Sequence, residues 1–181
     1  QGEVLKSIGD AYIVQAKDHE AIAYYKKSIK AFKAVSPQTD LIQEEYVDMY
    51  RSMATSCIKL EQFDAAKNYL LKIEEQPAEA DYKPSWTHAT WGFYYEHINE
   101  LDKSIEAHQR SITAYHESGV YPGSAYWNLA NVALRKKDYL LATQNFHKSL
   151  LDDFGDWEDQ GYHKNASIDE IVNKNLAINS L

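Results

Sequence analysis

Seven histidines, one cysteine and one acidic run are the side chains of this 181-residue sequence whose types suit metal or nucleophile chemistry. The histidines, His19, His88, His97, His108, His116, His147 and His163, are scattered. The nearest two, His108 and His116, stand eight residues apart, two helical turns and too far to share one ion. The run DDFGDWEDQG suggests a calcium loop. Started at Asp156, such a loop places Glu158, Gln160 and Gly161 acceptably, but position twelve is Ser167 rather than the bidentate glutamate, so a solvated acidic loop is the expected state. Cys57 falls on the core face of a helical pattern, where a thiol packs rather than reacts. Alone, it excludes an internal disulfide and any paired-cysteine metal or redox site. The triplet Asn165-Ala166-Ser167 is a glycosylation acceptor only in a secreted eukaryotic protein. No phosphate-binding loop, nucleophile elbow or zinc-protease motif occurs, and no nucleophile, base and orienter group together. The expectation is a chain that is not an enzyme and holds no cofactor and no metal.

Recognition chemistry remains, and composition narrows it. Apolar residues make up 44% of the chain, enough for a real core, and seven glycines and four prolines are too few for a loop-rich β fold. Fourteen tyrosines and four tryptophans form a high aromatic load. A formal charge of −8 disfavours nucleic acid as a direct partner. No stretch approaches eighteen apolar residues, so no membrane span is expected. The chain opens directly into a helical pattern without an initiator methionine, as a piece of a longer protein or a mature form would. Its compartment stays open between the cytoplasm and a bacterial extracytoplasmic space.

The elements that position recognition residues show in an internal repeat. AKDHEA, EQFDAA, NELDKS and KKDYLLA align on their last residues, Ala21, Ala66, Ser104 and Ala142. Twelve positions earlier stand Gly9, Ala54, Gly92 and Ala130, again all small. Just before these come Ile8, Met53, Trp91 and Leu129, all large and apolar, and four beyond the first set lie Tyr25, Leu70, His108 and Phe146. Glycine costs about 1 kcal/mol in a helix interior. Gly9 therefore needs a reason, which is close helix approach: a small residue on one helix facing a small residue on the next, with the large neighbour filling the groove.

This pattern resembles the tetratricopeptide repeat (TPR), W-x2-L-G-x2-Y followed by A-x3-F, over roughly residues 2 to 155. LKSIGDAY and YWNLANVAL carry it best; Cys57 and His108 depart from it. The resemblance implies an all-α fold, a right-handed superhelix or α-solenoid of antiparallel helix pairs A and B. We expect one array over 1–181, with four TPR-like repeats at about 2–37, 40–78, 84–118 and 122–154 and a C-terminal capping helix at 166–180. The anchors are spaced 45, 38 and 38 residues apart, against 34 in the standard repeat. The excess approximates whole helical turns, so long helices are expected at the B-to-A junctions. Pro37 should end the first B helix, while Pro84 with Ser85, and Pro122 with Gly123 and Ser124, should lie near helix starts. The last segment opens with a capping box, Ser167 and Glu170, and lines Ile168, Ile171, Val172 and Leu176 on one face.

In the TPR family the A helices line an inner wall that receives peptides. Carried onto this sequence, the wall comprises Glu3, Lys6, Ser7, Asp10 and Val14 in repeat 1, Asp48, Arg51, Ser52, Thr55 and Lys59 in repeat 2, Trp86, Ala89, Thr90, Phe93 and His97 in repeat 3, and Ser124, Trp127, Asn128, Asn131 and Arg135 in repeat 4. Its first half is charged, with Lys6, Arg51 and Lys59 as cations. Its second half offers aromatic anchors, Trp86, Phe93 and Trp127, and amides, Asn128 and Asn131, that suit a peptide backbone. Duller roles stay open: Trp127 and Phe93 packing between helices, Lys6 and Arg51 pairing with Asp10 and Asp48. The carboxylate clamp of TPR co-chaperones is absent, because Asp10, Ser52, Trp86 and Thr90 replace four of its five residues.

The stretch SITAYHESGVYPGSAYWNLANVALRKKDYLLA is similar to bacterial peptide-sensing regulators of the Rap and NprR kind, and TPR sensor regions of bacterial signalling proteins look similar too. Both imply a peptide or protein segment in the groove of a larger regulator. A structural scaffold that contacts partners or further copies of itself through its outer helix faces is the alternative.

Overall fold

The computed structural model describes residues 1–34, 39–77, 81 and 83–150. Within them lie eight α-helices and no strand: α1 (Gly2–Val14), α2 (Asp18–Lys33), α3 (Asp40–Lys59), α4 (Phe63–Glu74), α5 (Pro84–His97), α6 (Leu101–Glu117), α7 (Gly123–Arg135) and α8 (Tyr139–Leu150). They pair in chain order as four hairpins, and each hairpin packs on the next through α2–α3, α4–α5 and α6–α7. The odd-numbered helices also touch one another, α3 with α5 and α5 with α7, and so form a continuous wall. Pro37, the stretch after Leu150, the acidic run, and the cap segment with Ser167 and Glu170 lie outside the described residues.

All eight small residues of the repeat are buried. What faces the two glycines differs from the expected small residue. A Cβ on Gly9 would sit 2.7 Å from the Tyr25 ring, and one on Gly92 would sit 2.4 Å from the His108 ring. The missing side chain makes room for an aromatic ring four residues beyond the small residue of the second helix. In the third hairpin that small residue instead bonds to backbone: Ser104 Oγ donates to the Gly92 carbonyl at 2.8 Å. Seven residues outward the contact recurs, with Ser111 donating to Ser85 O at 2.7 Å and Ser28 to Gly2 O at 2.8 Å. In the second hairpin the corresponding pair, Val47 and Ile73, is buried and apolar.

The four turns within hairpins are alike. Ala16, Glu61, Asn99 and Lys137 each stand five residues before a small anchor, and each has φ between 55° and 65°. The following N–H reaches back five residues in every case, Lys17 to Tyr12, Gln62 to Cys57, Glu100 to Tyr95 and Asp138 to Ala133, at 2.8–2.9 Å. This is the Schellman closure, normally built on glycine. None of the four is glycine, and left-handed backbone costs an L-residue about 1–2 kcal/mol. Ala16 is exposed and its methyl adds nothing to offset that cost. Ala16→Gly should raise stability by about 1 kcal/mol, since relief of strain exceeds the added freedom of the unfolded chain; the midpoint of urea denaturation measures it.

The longest junction lengthens the helix that follows it. α3 begins at Asp40, fourteen residues ahead of Ala54, whereas α1 begins seven ahead of Gly9. The extra turns, residues 40–46, set Tyr46 against Phe32, and the turn that follows buries Val47, Met49 and Tyr50, the last stacked on Tyr69. Pro84 opens α5, and Pro122 caps α7.

Candidate functional site

The wall of α3, α5 and α7 encloses an open cavity of about 300 Å³. From α3 come Arg51, Ser52, Thr55 and Lys59; from α5 come Trp86, Ala89, Thr90 and Phe93; α7 supplies Ser124 and Asn128. Each stands at an inner position expected from the repeat. The remaining expected residues lie outside the cavity lining. Asp10 accepts the Tyr25 hydroxyl at 2.7 Å, and burial with this carboxylate beside it raises the phenol's pKa. His97 Nδ1–H donates to Phe93 O at 2.8 Å. Trp127, 53% exposed, packs edge-on to Phe146 of α8 at 5.0 Å. Asn131 donates to Trp127 O, and Arg135 ties α7 to Glu96 of α5 at 2.8 Å.

The cations of the wall are engaged internally. Lys6 bridges to Glu45 at 2.7 Å and Asp48 at 3.7 Å; burial works to lower its pKa, but the carboxylates outweigh it and the ammonium titrates above its usual range. Arg51 is only 7% exposed. Its guanidinium bonds Asp48, reaches Asp81 at 3.4 Å and Thr87 Oγ1 at 3.3 Å, and lies 5.4 Å from the centre of the Trp86 ring. It joins α3 to the start of α5 and holds the indole, which remains 44% exposed at the mouth of the cavity. Lys59 is half-exposed and lies 3.8 Å from Asp18. With these charges paired, the cavity presents aromatic surface, hydroxyls and one amide. Asn128 has no hydrogen-bond partner among the described residues.

Four lining residues went unforeseen: Ile13 from the end of α1, Ser111 and Tyr115 from α6, and Ala125 from α7. The two from α6 form a floor behind the wall, visible only once the second helix is seen to reach past the first. A larger groove of about 790 Å³ opens on the other side, between α4, α5 and α6, beside Trp91, Tyr95 and His88. Its edges carry mixed charge, and Lys103 and Arg110 are paired there with Glu100 and Glu106 on their own helix.

Among the described residues, no three of histidine, cysteine and carboxylate converge as a metal site, and no helix is long and apolar enough to cross a membrane. Cys57 is buried, and burial raises its thiol pKa.

No protein-family model matches the sequence. No curated protein matches it in a sequence comparison. Solved structures do match it in three dimensions. The apo form of RapI superposes with a TM-score of 0.69 at 16% identity, over 83% of this chain and 42% of RapI. MamA does so with a TM-score of 0.61 at 19% identity, over 87% of this chain and 81% of MamA. BtubC from P. vanneervenii gives a TM-score of 0.69 at 15% identity, over 92% of this chain and 67% of BtubC. This chain thus covers less than half the length of RapI. What it shares with all three is the helical solenoid fold of the tetratricopeptide type.

Proposed function

We propose that this chain is a non-catalytic recognition module that holds a peptide or protein segment along the α3–α5–α7 wall, as the sensory or docking part of a larger regulator. The carrying observation is the cavity itself: two aromatic rings, Trp86 and Phe93, beside an amide, Asn128, that is free to meet a peptide link. Buried aromatic anchors dominate protein interfaces, and one amide serves both N–H and C=O of a backbone. The RapI structure with the same fold is described as an apo form, the state of a protein without its ligand.

Panning a random twelve-residue peptide phage library on the chain tests the reading. Trp86→Ala and Asn128→Ala should each weaken a selected peptide about tenfold or more, as loss of an interface anchor does, and Lys137→Ala at a distant turn should not. Unchanged affinity in both groove variants overturns the proposal. A scaffold array is the second reading, favoured by Leu134, Tyr139 and Leu140, exposed together around the last turn. Concentration-dependent mass in sedimentation that Leu140→Lys abolishes and Trp86→Ala leaves intact would establish it instead.

A further inference from the structure

We infer that the cavity selects an aromatic side chain carrying a polar hydrogen, tryptophan or tyrosine, over phenylalanine and over any charged side chain; the inference rests on the peptide-binding reading and names its anchor. A volume of about 300 Å³ lies at the lower limit for small-molecule sites. It accommodates one large side chain. Trp86 and Phe93 offer ring faces and edges for an aromatic guest, and aromatic pairs gain from offset or edge-on contact.

The hydroxyls decide the rest. A hydroxyl has one hydrogen to give and two lone pairs. Thr55 Oγ1 already donates to Arg51 O at 3.0 Å, Thr90 Oγ1 to Trp86 O at 2.9 Å, and Ser111 Oγ to Ser85 O at 2.7 Å. Each of the three hydrogens is taken up by backbone, so what these residues retain for a guest is acceptor capacity. An indole N–H or phenol O–H satisfies such a lining. A phenyl ring leaves the oxygens unpaired and dry, which costs free energy. A carboxylate would lose its hydration in a lining whose cations are already paired, Arg51 with Asp48 and Asp81 and Lys59 with Asp18. A guanidinium or ammonium would meet Lys59 on the rim and the buried Arg51.

The N-acetyl amides of tryptophan, tyrosine, phenylalanine, arginine and aspartate are the probes, titrated into the chain and followed by two-dimensional NMR. Tryptophan and tyrosine amides should bind roughly three- to tenfold tighter than phenylalanine amide, the range expected for one net hydrogen bond. The charged amides should bind weaker than phenylalanine amide. Thr90→Val with Thr55→Val, which keeps shape and removes two of the three acceptors, should narrow the preference by raising phenylalanine affinity, since fewer oxygens are left unpaired, and binding that persists is itself proof of folding. Equal affinity for the three aromatic amides, tighter binding of a charged amide, or a preference that the double variant leaves undiminished overturns the inference. If library peptides still depend on Trp86 and Asn128 in that event, the peptide-binding reading stands without it. If neither amides nor peptides respond to groove variants, the reading itself has failed.

Discussion

Gly92→Ala should destabilise the protein by about 1–3 kcal/mol, the usual cost of overpacking a core. Helix propensity alone predicts the opposite sign, a gain of about 1 kcal/mol. Packing wins because the new methyl would lie 2.4 Å from the His108 ring, which is fully buried and pressed edge-on against Phe93 at 5.4 Å, leaving it no direction in which to move. The other hairpins show how the two positions depend on each other. Glycine at position 9 accompanies the buried Tyr25 ring, and alanine at position 54 accompanies the slimmer Leu70. Alanine at 130 accompanies Phe146, whose ring is only half-buried and rests on Trp127. Copying the second hairpin's pair into the third should therefore restore fit. Gly92→Ala with His108→Leu should recover most of the loss, with a coupling of about 1–2 kcal/mol in a double-mutant cycle from urea midpoints. Strict additivity would mean that the two positions do not share space.

The same pairing marks how far the sequence can be read. Side-chain size at matched spacing located all eight small residues, and every one is buried, because a helix pair repeated in register must remove bulk at the same depth each time. The inner positions of α3, α5 and α7 followed from that ruler, and ten of the fifteen line one cavity, while Asp48, His97, Trp127, Asn131 and Arg135 lie outside its lining. The hairpin turns were not legible in their chemistry: alanine, glutamate, asparagine and lysine occupy the left-handed position, so no glycine marks it. The partners of the charges were legible in part: Asp48 follows from the sequence and pairs with both Lys6 and Arg51, whereas Asp81 and Glu45 do not follow from it. Arg51 and Asp81 meet across 30 residues of chain, and Lys6 meets Glu45 rather than only its own helix. Such pairs depend on the rotation of one helix against the next, which hydrophobic spacing leaves undetermined. Ile13 and Tyr115 escaped notice for the same reason, since they enter the cavity from beside and behind the wall.

His108 should make the protein lose stability as pH falls from about 6.5 to 4, and His108→Phe should remove that loss. The residue departs from the repeat at a position where Tyr25 and Phe146 carry rings. It is fully buried, and neither ring nitrogen meets a hydrogen-bonding partner among the described residues. Burial pushes its pKa down to about 4, against only a small opposing pull from Glu96. An unfolded histidine titrates near 6.5. Above that value both states hold the neutral ring, and the folded protein keeps its full stability. As pH falls through the window the unfolded chain takes up a proton that the folded one refuses, so the balance shifts toward unfolding. The difference amounts to about 3 kcal/mol by pH 4, a large part of the stability of a typical domain. His88, also lowered by burial, adds a slope of the same sign that both proteins share. Subtracting the urea-derived stability of His108→Phe from that of the wild type at pH 7.5, 6, 5 and 4.5 isolates the single residue. Phenylalanine leaves no buried nitrogen unpaired but fills more of a tight site, so the diagnostic is the slope: the difference should shift steadily in its favour below about pH 6.5. A gap that stays constant with pH would mean that His108 takes up its proton in the folded state, and that the space beneath Gly92 is open to water.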